Sequence, residues 1–283
     1  METFRDRVAV VTGGASGIGL ALAHRFADEG MKVVIGDIEA EPLAMAEAAL
    51  GAKSPVLAQR VDVSQPEQLE ALAEAAYRRF GAVHILCNNA GVGGSPGASW
   101  ELSLDDWRWV IDVDLWSVVH GIRAFIPRMI AAGEEGHIVN TASVAGLLSG
   151  AVGTPYTVAK FGVVALSESL HYELERVNAK LGVSVLCPGF VNTNIYDSAR
   201  NRQAGYGEAS LQPTPEGEQM RVALDEFRPA MAQPDEVAAQ VFEAIRERSL
   251  YVVPAPDNLR AAVSKRHANI DTLKNPEGPP ALF

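Results

Sequence analysis

Hydrophobic positions along the chain fall into two alternating kinds of segment. Short, nearly continuous runs of Val, Ile, Leu and Ala occur at residues 8–11, 32–36, 56–60, 83–87, 137–141, 183–187 and 250–253. Strands covered on both faces carry unbroken rather than alternating apolar character, so these runs are expected as strands of a parallel sheet. Between them, apolar residues recur at helical spacing. Ile18, Ala21, Leu22 and Phe26 share one face, as do Leu69, Leu72, Ala73 and Ala76. Ser103 and Asp106 make a capping box ahead of one long helix expected over 107–132. Strand and helix alternate throughout, which implies right-handed crossovers and an α/β fold, a doubly wound parallel sheet. No linker divides the chain, and residues 1–283 are expected as a single domain. The rhythm breaks at about 192–233, a polar stretch holding Gly205, Gly207, Pro213, Pro215, Gly217 and Pro229, expected as an irregular lid. The tail, about 257–283, resumes a weak helix and closes in a proline-rich end that cannot continue one.

Charge and composition exclude several functions. The 24 Lys and Arg against 35 Asp and Glu give a net charge of −11. That balance argues against nucleic acid and against a polybasic membrane surface. No apolar stretch is long enough to span a bilayer, and the first residues lack the pattern of a signal peptide, so a cytoplasmic location is expected. Two cysteines make no disulfide framework; Cys87 and Cys187 read as small buried hydrophobes. The six histidines show no paired spacing, and no metal site is expected. Trp100, Trp107, Trp109 and Trp116 cluster in one region and suit a core or subunit interface.

The candidate chemistry sits where the apolar runs end. The first run delivers the chain into Thr12-Gly13-Gly14-Ala15-Ser16-Gly17-Ile18-Gly19, and a helix follows. Glycines there permit a tight turn and let backbone N–H groups approach a pyrophosphate, which the helix N-terminus also attracts. Asp37 ends the second run, 18 residues after Gly19. A carboxylate there accepts hydrogen bonds from ribose hydroxyls and repels a 2′-phosphate. The positions that would supply a compensating cation hold Ser16 and Ile38, which favours NAD over NADP. Asp62-Val63 follows the third run and Asn88-Asn89-Ala90-Gly91 the fourth; asparagines of this kind tie neighbouring backbone together. The fifth ends in Asn140-Thr141-Ala142-Ser143, and Tyr156 and Lys160 follow, four apart and so on one helix face. Pro188-Gly189 follows the sixth. Doubly wound sheets place ligands along this C-terminal edge. Ser143 is not set in G-x-S-x-G, so hydrolysis is not expected.

This ordered set resembles the short-chain dehydrogenase/reductase family, with its T-G-x-x-x-G-x-G and Y-x-x-x-K motifs, and does so closely over residues 7–193. The resemblance implies a Rossmann-like fold binding NAD and hydride transfer between NAD(H) and a secondary alcohol or ketone. It implies Tyr156 as general acid and base. A free tyrosine has a pKa near 10, so Lys160 and the nicotinamide charge would be needed to lower it. Ser143 would polarise the substrate oxygen, and Lys160 would also hold ribose hydroxyls. Cofactor contacts are implied at Gly13, Ser16, Gly17, Ile18, Gly19, Asp37, Ile38, Asp62, Val63, Asn89, Ala90, Gly91, Tyr156, Lys160, Pro188, Gly189, Val191 and Thr193. The implied substrate walls are Gly94, Ser95, Val144, Leu147, Phe190 and Tyr196, an apolar set that suits a cyclic or aromatic substrate. One position departs from the family: Asp114, in Ile111-Asp112-Val113-Asp114-Leu115, stands where an Asn is usual. It keeps the size and an acceptor but loses the amide donors, and it adds a charge near Lys160. The resemblance also implies a homodimer or homotetramer. The alternatives are an epimerase or dehydratase on the same scaffold with tightly held NAD, and a non-catalytic dinucleotide-binding regulator.

Overall fold

The seven apolar runs form seven strands: β1 (Val8–Thr12), β2 (Lys32–Asp37), β3 (Val56–Arg60), β4 (Ile85–Asn88), β5 (Gly136–Thr141), β6 (Leu181–Leu186) and β7 (Tyr251–Val252). They lie in one sheet in the order β3-β2-β1-β4-β5-β6-β7, every pair parallel. The computed structural model describes residues 1, 3–95, 97–150, 153–209, 222 and 226–278. Strand order reverses direction between β1 and β4, and such a switch point opens a crevice at the C-terminal edge.

Alternation along β1 divides the core into two layers, because successive side chains point to opposite faces. Ala9 and Val11 pack with Leu22 and Phe26 of α1 (Gly17–Asp28), with Leu43 and Leu50 of α2 (Ala40–Gly51), and with Val237 and Phe242 of α7 (Pro234–Glu247). Val8 and Val10 face the other way, toward Leu69 and Leu72 of α3 (Pro66–Phe80), Phe125 of α5 (Ser117–Ala132) and Leu170 of α6 (Thr154–Arg176). Each fully buried Leu or Phe contributes about 1.5–3 kcal/mol. β1, β4, β5 and β6 are buried along their whole length, as unbroken runs require. β3 is not: it pairs on one side only, at the sheet edge, and its residues are half-buried to exposed. Its apolar run therefore does not mark a strand covered on both faces.

The helix expected over 107–132 is also divided. Ser103 does cap α4 (Leu104–Ile111): its Oγ accepts from the Asp106 N–H at 3.1 Å, and Asp106 Oδ2 accepts from the Ser103 N–H at 3.1 Å. Asp112–Trp116 then form a π-helical turn before α5 begins. Ser117 Oγ donates to the Val113 carbonyl, taking up one backbone group within the widened turn. Single π turns of this kind concentrate at functional sites, and this one carries Asp114.

The irregular segment contains short 3₁₀ turns at Asn194–Asn201, Ala204–Tyr206 and Arg228–Ala230. Pro213, Pro215 and Gly217 lie outside the described residues. In the tail, α8 (Asp257–Asp271) is helical, and residues 279–283 lie outside the described residues. Of the four tryptophans, Trp109 belongs to the core, whereas Trp100 and Trp116 are exposed. Cys87 and Cys187 are buried and free, and burial raises both thiols, Cys187 to about 12. Among the described residues no helix is long and apolar enough to cross a membrane.

Candidate active site

The turn between β1 and α1 is shaped by glycines that no other residue replaces cheaply. Gly13 and Gly17 hold φ of +63° and +53°, in the left-handed region. A Cβ on Gly19 would lie 2.0 Å from the Gly13 carbonyl oxygen and 2.5 Å from Asn89 Nδ2; one on Gly13 would lie 2.8 Å from Ala90 Cα. The helix opening at Gly17 has no side-chain cap from Ser16 and no acidic residue in its first turn. Its first amides therefore present the positive end of the helix dipole to the crevice. Such a turn fits a pyrophosphate.

The residues around this turn brace one another. Thr12, quoted in the motif but not singled out from sequence, is the hub: its Oγ1 accepts from the N–H groups of Asn89 (2.9 Å) and Ala90 (3.2 Å). Asn89 Nδ2 donates back to the Thr12 carbonyl at 3.1 Å, and Thr141 Oγ1 donates to Asn89 Oδ1 at 3.3 Å. Asn89 thus joins β1, β4 and β5. Asp37 is buried at the end of β2, its Oδ2 accepting from the Ala15 N–H at 3.0 Å and its Oδ1 from the Glu39 N–H at 3.1 Å. Burial raises its pKa, against those two amide bonds. Asp62 Oδ1 accepts from both the N–H (3.0 Å) and the Oγ (2.7 Å) of Ser64. Neither Ser16 nor Ile38 is basic, yet the fold brings cations to this end from elsewhere. Arg60 Nε donates to the Ile38 carbonyl at 3.0 Å, and Arg200 of the irregular segment pairs with Glu39. Sequence spacing gave no sign of either.

Ser143, Tyr156 and Lys160 converge beyond the ends of β5 and β6. Ser143 caps the short turn Val144–Gly146, its Oγ accepting from the Ala145 N–H at 3.1 Å, and it lies 3.5 Å from the Pro188 carbonyl. Its capping role therefore coexists with a place in the site. Tyr156 is half-buried near the start of α6. Lys160, 2% exposed, lies with Nζ 5.3 Å from the Tyr156 ring centroid and donates to the Thr141 carbonyl at 3.1 Å. A buried polar ladder fixes α6 on the sheet beneath them. Asn88 Nδ2 donates to Asn140 Oδ1 (2.9 Å), and Asn140 Nδ2 to Ser167 Oγ (3.0 Å).

Asp114 completes the group. Its Oδ1 accepts from the Val92 N–H at 2.7 Å, and its Oδ2 lies 3.6 Å from Lys160 Nζ, with no exposed surface. Burial pushes its pKa up to about 6, against the Lys160 charge and the Val92 amide. Burial also raises Tyr156 above its ordinary value, the Asp114 charge adds to that rise, and a hydrogen bond with Ser143 draws it down.

The side on which the sequence places the substrate is apolar. Val144, Leu148 and Leu259 are buried together, with Phe190, Ala262 and Val263 packed against them. Phe190 meets Phe227 edge-on at 5.9 Å, and the Arg228 guanidinium lies over Tyr196 at 5.9 Å. Gly94 holds φ of +75°, and Ser95 Oγ lies 3.4 Å from Asp106 Oδ1. Leu147 packs instead with Val118 and Val163. Thr193 stands over Gly17: its Cγ2 would be 3.1 Å from a Cβ there. Pro188 offers its carbonyl to the Val144 N–H at 2.9 Å, Gly189 donates to Pro254 at 3.0 Å, and Val191 bridges to Ala232. The packing of Leu259 and Val263 of α8 against this cluster was not legible in the sequence, because α8 lies far along the chain and has weak apolar periodicity. Among the described residues, no cluster of His, Cys, Asp and Glu could hold a metal ion.

Comparison with known proteins gives the arrangement a context. The short chain dehydrogenase family model matches residues 7–204. A solved short chain dehydrogenase/reductase from Burkholderia phymatum, in complex with NAD, is similar with a TM-score of 0.94 and 41% identity, covering 99% of this chain and 100% of that one. A C alpha-dehydrogenase of Sphingobium sp. is 33% identical over 99% of this chain and 90% of its own length. A cyclohexanol dehydrogenase of Acinetobacter sp. is 37% identical over 68% of this chain and 76% of its own.

Proposed function

The chain belongs to the short-chain dehydrogenase family, and on that premise we propose that it is an NAD-dependent dehydrogenase, or the matching ketone reductase, of hydrophobic cyclic or aromatic secondary alcohols. The observation that carries this reading is the convergence of Ser143, Tyr156 and Lys160 at the C-terminal edge of the sheet, beside the glycine turn. The NAD complex of the Burkholderia phymatum relative and the carboxylate of Asp37 at the end of β2 support the choice of dinucleotide.

The glycine turn fits the cofactor: positive-φ glycines and uncapped first-turn amides leave the backbone open to a pyrophosphate. Gly13, Gly17, Ile18 and Gly19 would hold the phosphates, Asp37 the adenosine ribose, and Lys160 with Thr193 the nicotinamide half. NAD, when bound, supplies the hydride acceptor for alcohol oxidation. Tyr156 takes the hydroxyl proton of the alcohol, and in the reverse direction returns it to the ketone oxygen. Ser143 donates a hydrogen bond to that oxygen and fixes its place. Lys160 supplies the positive charge that favours the phenolate. Asp114 acts on Lys160, accepting beside its ammonium and balancing its charge, itself with no exposed surface. It is a positioning residue.

The sign of that balance is testable. With Asp114 ionised, its charge holds Tyr156 up; as pH falls through about 6, Asp114 takes a proton and that influence is lifted. Asp114→Asn removes the titration altogether. The pH profile of kcat/KM for alcohol oxidation should lose its inflection near 6 and move to lower pH, while NAD affinity stays close to that of the unaltered chain. Superimposable profiles for the two proteins would mean that Asp114 exerts no electrostatic control over Tyr156.

For the substrate, the apolar cluster of Val144, Leu148, Phe190 and Leu259 supports a hydrophobic alcohol. The cyclohexanol dehydrogenase of Acinetobacter sp. supports a cyclic one. NADH formation across a panel should favour cyclic and aryl secondary alcohols over small acyclic and acidic ones. Turnover confined to acidic alcohols would sink this substrate class. Exposed Trp116, Val158 and Tyr172 lie on the π turn and α6, which supports assembly into a dimer or tetramer through these elements.

A further inference from the structure

The irregular segment reaches the adenosine end of the crevice, not only its substrate end. From Thr193, beside Gly17, it runs to Arg200 and Asn201, which both bond Glu39, two residues beyond Asp37. Arg200 forms a fork on that carboxylate, Nε to Oε1 at 3.0 Å and Nη2 to Oε2 at 2.7 Å, and Asn201 Nδ2 adds a bond to Oε2 at 3.3 Å. The pair is partly open to solvent, with side chains 30% and 22% exposed. Arg200 is also held from its own side: Nη1 donates to the carbonyls of Asn194 (3.2 Å) and Asp197 (2.7 Å). Farther on, Arg202 bonds Asp106 at 2.7 Å and Tyr206 bonds Asp112 at 2.9 Å, which fastens the next turn.

Charge at this end is therefore balanced rather than simply acidic. Arg200 is bonded to Glu39, with Arg60 bonded at the Ile38 carbonyl; the hydrogen bond with Glu39 raises Arg200, and the charges of Glu39, Asp197 and Asp37 add to that rise. A 2′-phosphate carries up to two negative charges and seeks a planar fork of N–H donors, which is what a guanidinium presents. Arg200 is such a fork, but a carboxylate fills it. Its two carbonyl bonds within the lid keep it in place independently of Glu39.

We propose that Glu39 is a second determinant of dinucleotide choice: by engaging Arg200, it withholds from a 2′-phosphate the guanidinium that the lid brings beside the adenosine ribose. Asp37 excludes the phosphate by repulsion, whereas Glu39 excludes it by occupying its partner. The inference rests on the NAD reading above.

Calorimetric titration with NAD and with NADP, on the full chain, tests it in three proteins: unaltered, Glu39→Gln, and Glu39→Gln with Arg200→Gln. In Glu39→Gln the ratio of the NADP Kd to the NAD Kd should fall by about tenfold, the worth of one charge-assisted hydrogen bond. In the double variant it should return toward the original ratio. A ratio that does not move in chains that still bind NAD overturns the proposal alone. So does a ratio that falls and stays low in the double variant, since removal of one negative charge would then account for it without Arg200. Failure of the unaltered chain to bind either dinucleotide overturns the NAD reading, and this proposal with it.

Discussion

Replacing Tyr156 by phenylalanine lowers kcat by between about a hundredfold and ten-thousandfold, the span that a positioned general acid–base group contributes, while NAD still binds. The change removes one oxygen. The ring remains, packed at the margin of the core layer under α3, α5 and α6, so α6 keeps its seat. Lys160 keeps its bond to the Thr141 carbonyl and its place beside Asp114, so the elements that would hold the cofactor are not disturbed. What is lost is the group that exchanges a proton with the substrate oxygen. Ser143 does not replace it, because an ordinary hydroxyl beside a backbone carbonyl has no partner to take its proton onward. Initial rates of NADH formation, together with NAD titration by calorimetry, decide the matter. Turnover within a few-fold of the unaltered chain would overturn the assigned chemistry.

Gly19→Ala is expected to abolish useful NAD binding, with affinity reduced by about a hundredfold or more. The added Cβ would stand 2.0 Å from the Gly13 carbonyl oxygen and 2.5 Å from Asn89 Nδ2. Neither neighbour can withdraw cheaply. Gly13 is wedged against Ala90, and Asn89 spans three strands through Thr12 and Thr141. The turn must therefore widen where the phosphates would lie, and overpacking of this kind costs about 1–3 kcal/mol or more. Gly51→Ala at the end of α2 is the control: nothing lies within 4 Å of its added Cβ, and Ala suits a helix better than Gly. It should leave both Tm and NAD affinity at or slightly above the original. Undiminished NAD binding by Gly19→Ala would mean that the glycine turn is not where the dinucleotide sits.

The strands were legible because burial on both faces leaves an unbroken apolar signature, which β1, β2, β4, β5 and β6 reflect, whereas β7, at the other edge of the sheet, exposes Tyr251. β3 shares the signature without the burial, since an apolar run does not reveal which strand lies at the edge. The π turn escaped for a related reason. One extra residue within a helix shifts the phase of its apolar positions too little to show against a long, strongly apolar stretch. Asp114 was visible as a departure from the family, but its contacts with Val92 and Lys160 depend on that turn. Motif residues are local and so could be read in order along the chain. Arg200 and Leu259 could not: each meets its partners across a long separation in sequence, and neither stands in a recognisable motif.

The wall that α8 lends to the substrate side has one more consequence. Within α8 only Leu259 is buried, helped by Arg266 stacked over Phe161 of α6 at 4.8 Å. Lifting this helix costs about 3–5 kcal/mol, the worth of one buried leucine, the partly buried Ala262 and Val263 and a cation–π contact. Opening a whole domain costs roughly 5–15 kcal/mol. The amide hydrogens of α8 therefore exchange through local opening, far ahead of those in the sheet. Each such opening unroofs Val144, Leu148 and Phe190 while leaving Tyr156 and Lys160 on their rigid helix. On the proposed reading, a bulky substrate would enter by drawing on the open population of α8 rather than by deforming the floor that carries Tyr156 and Lys160.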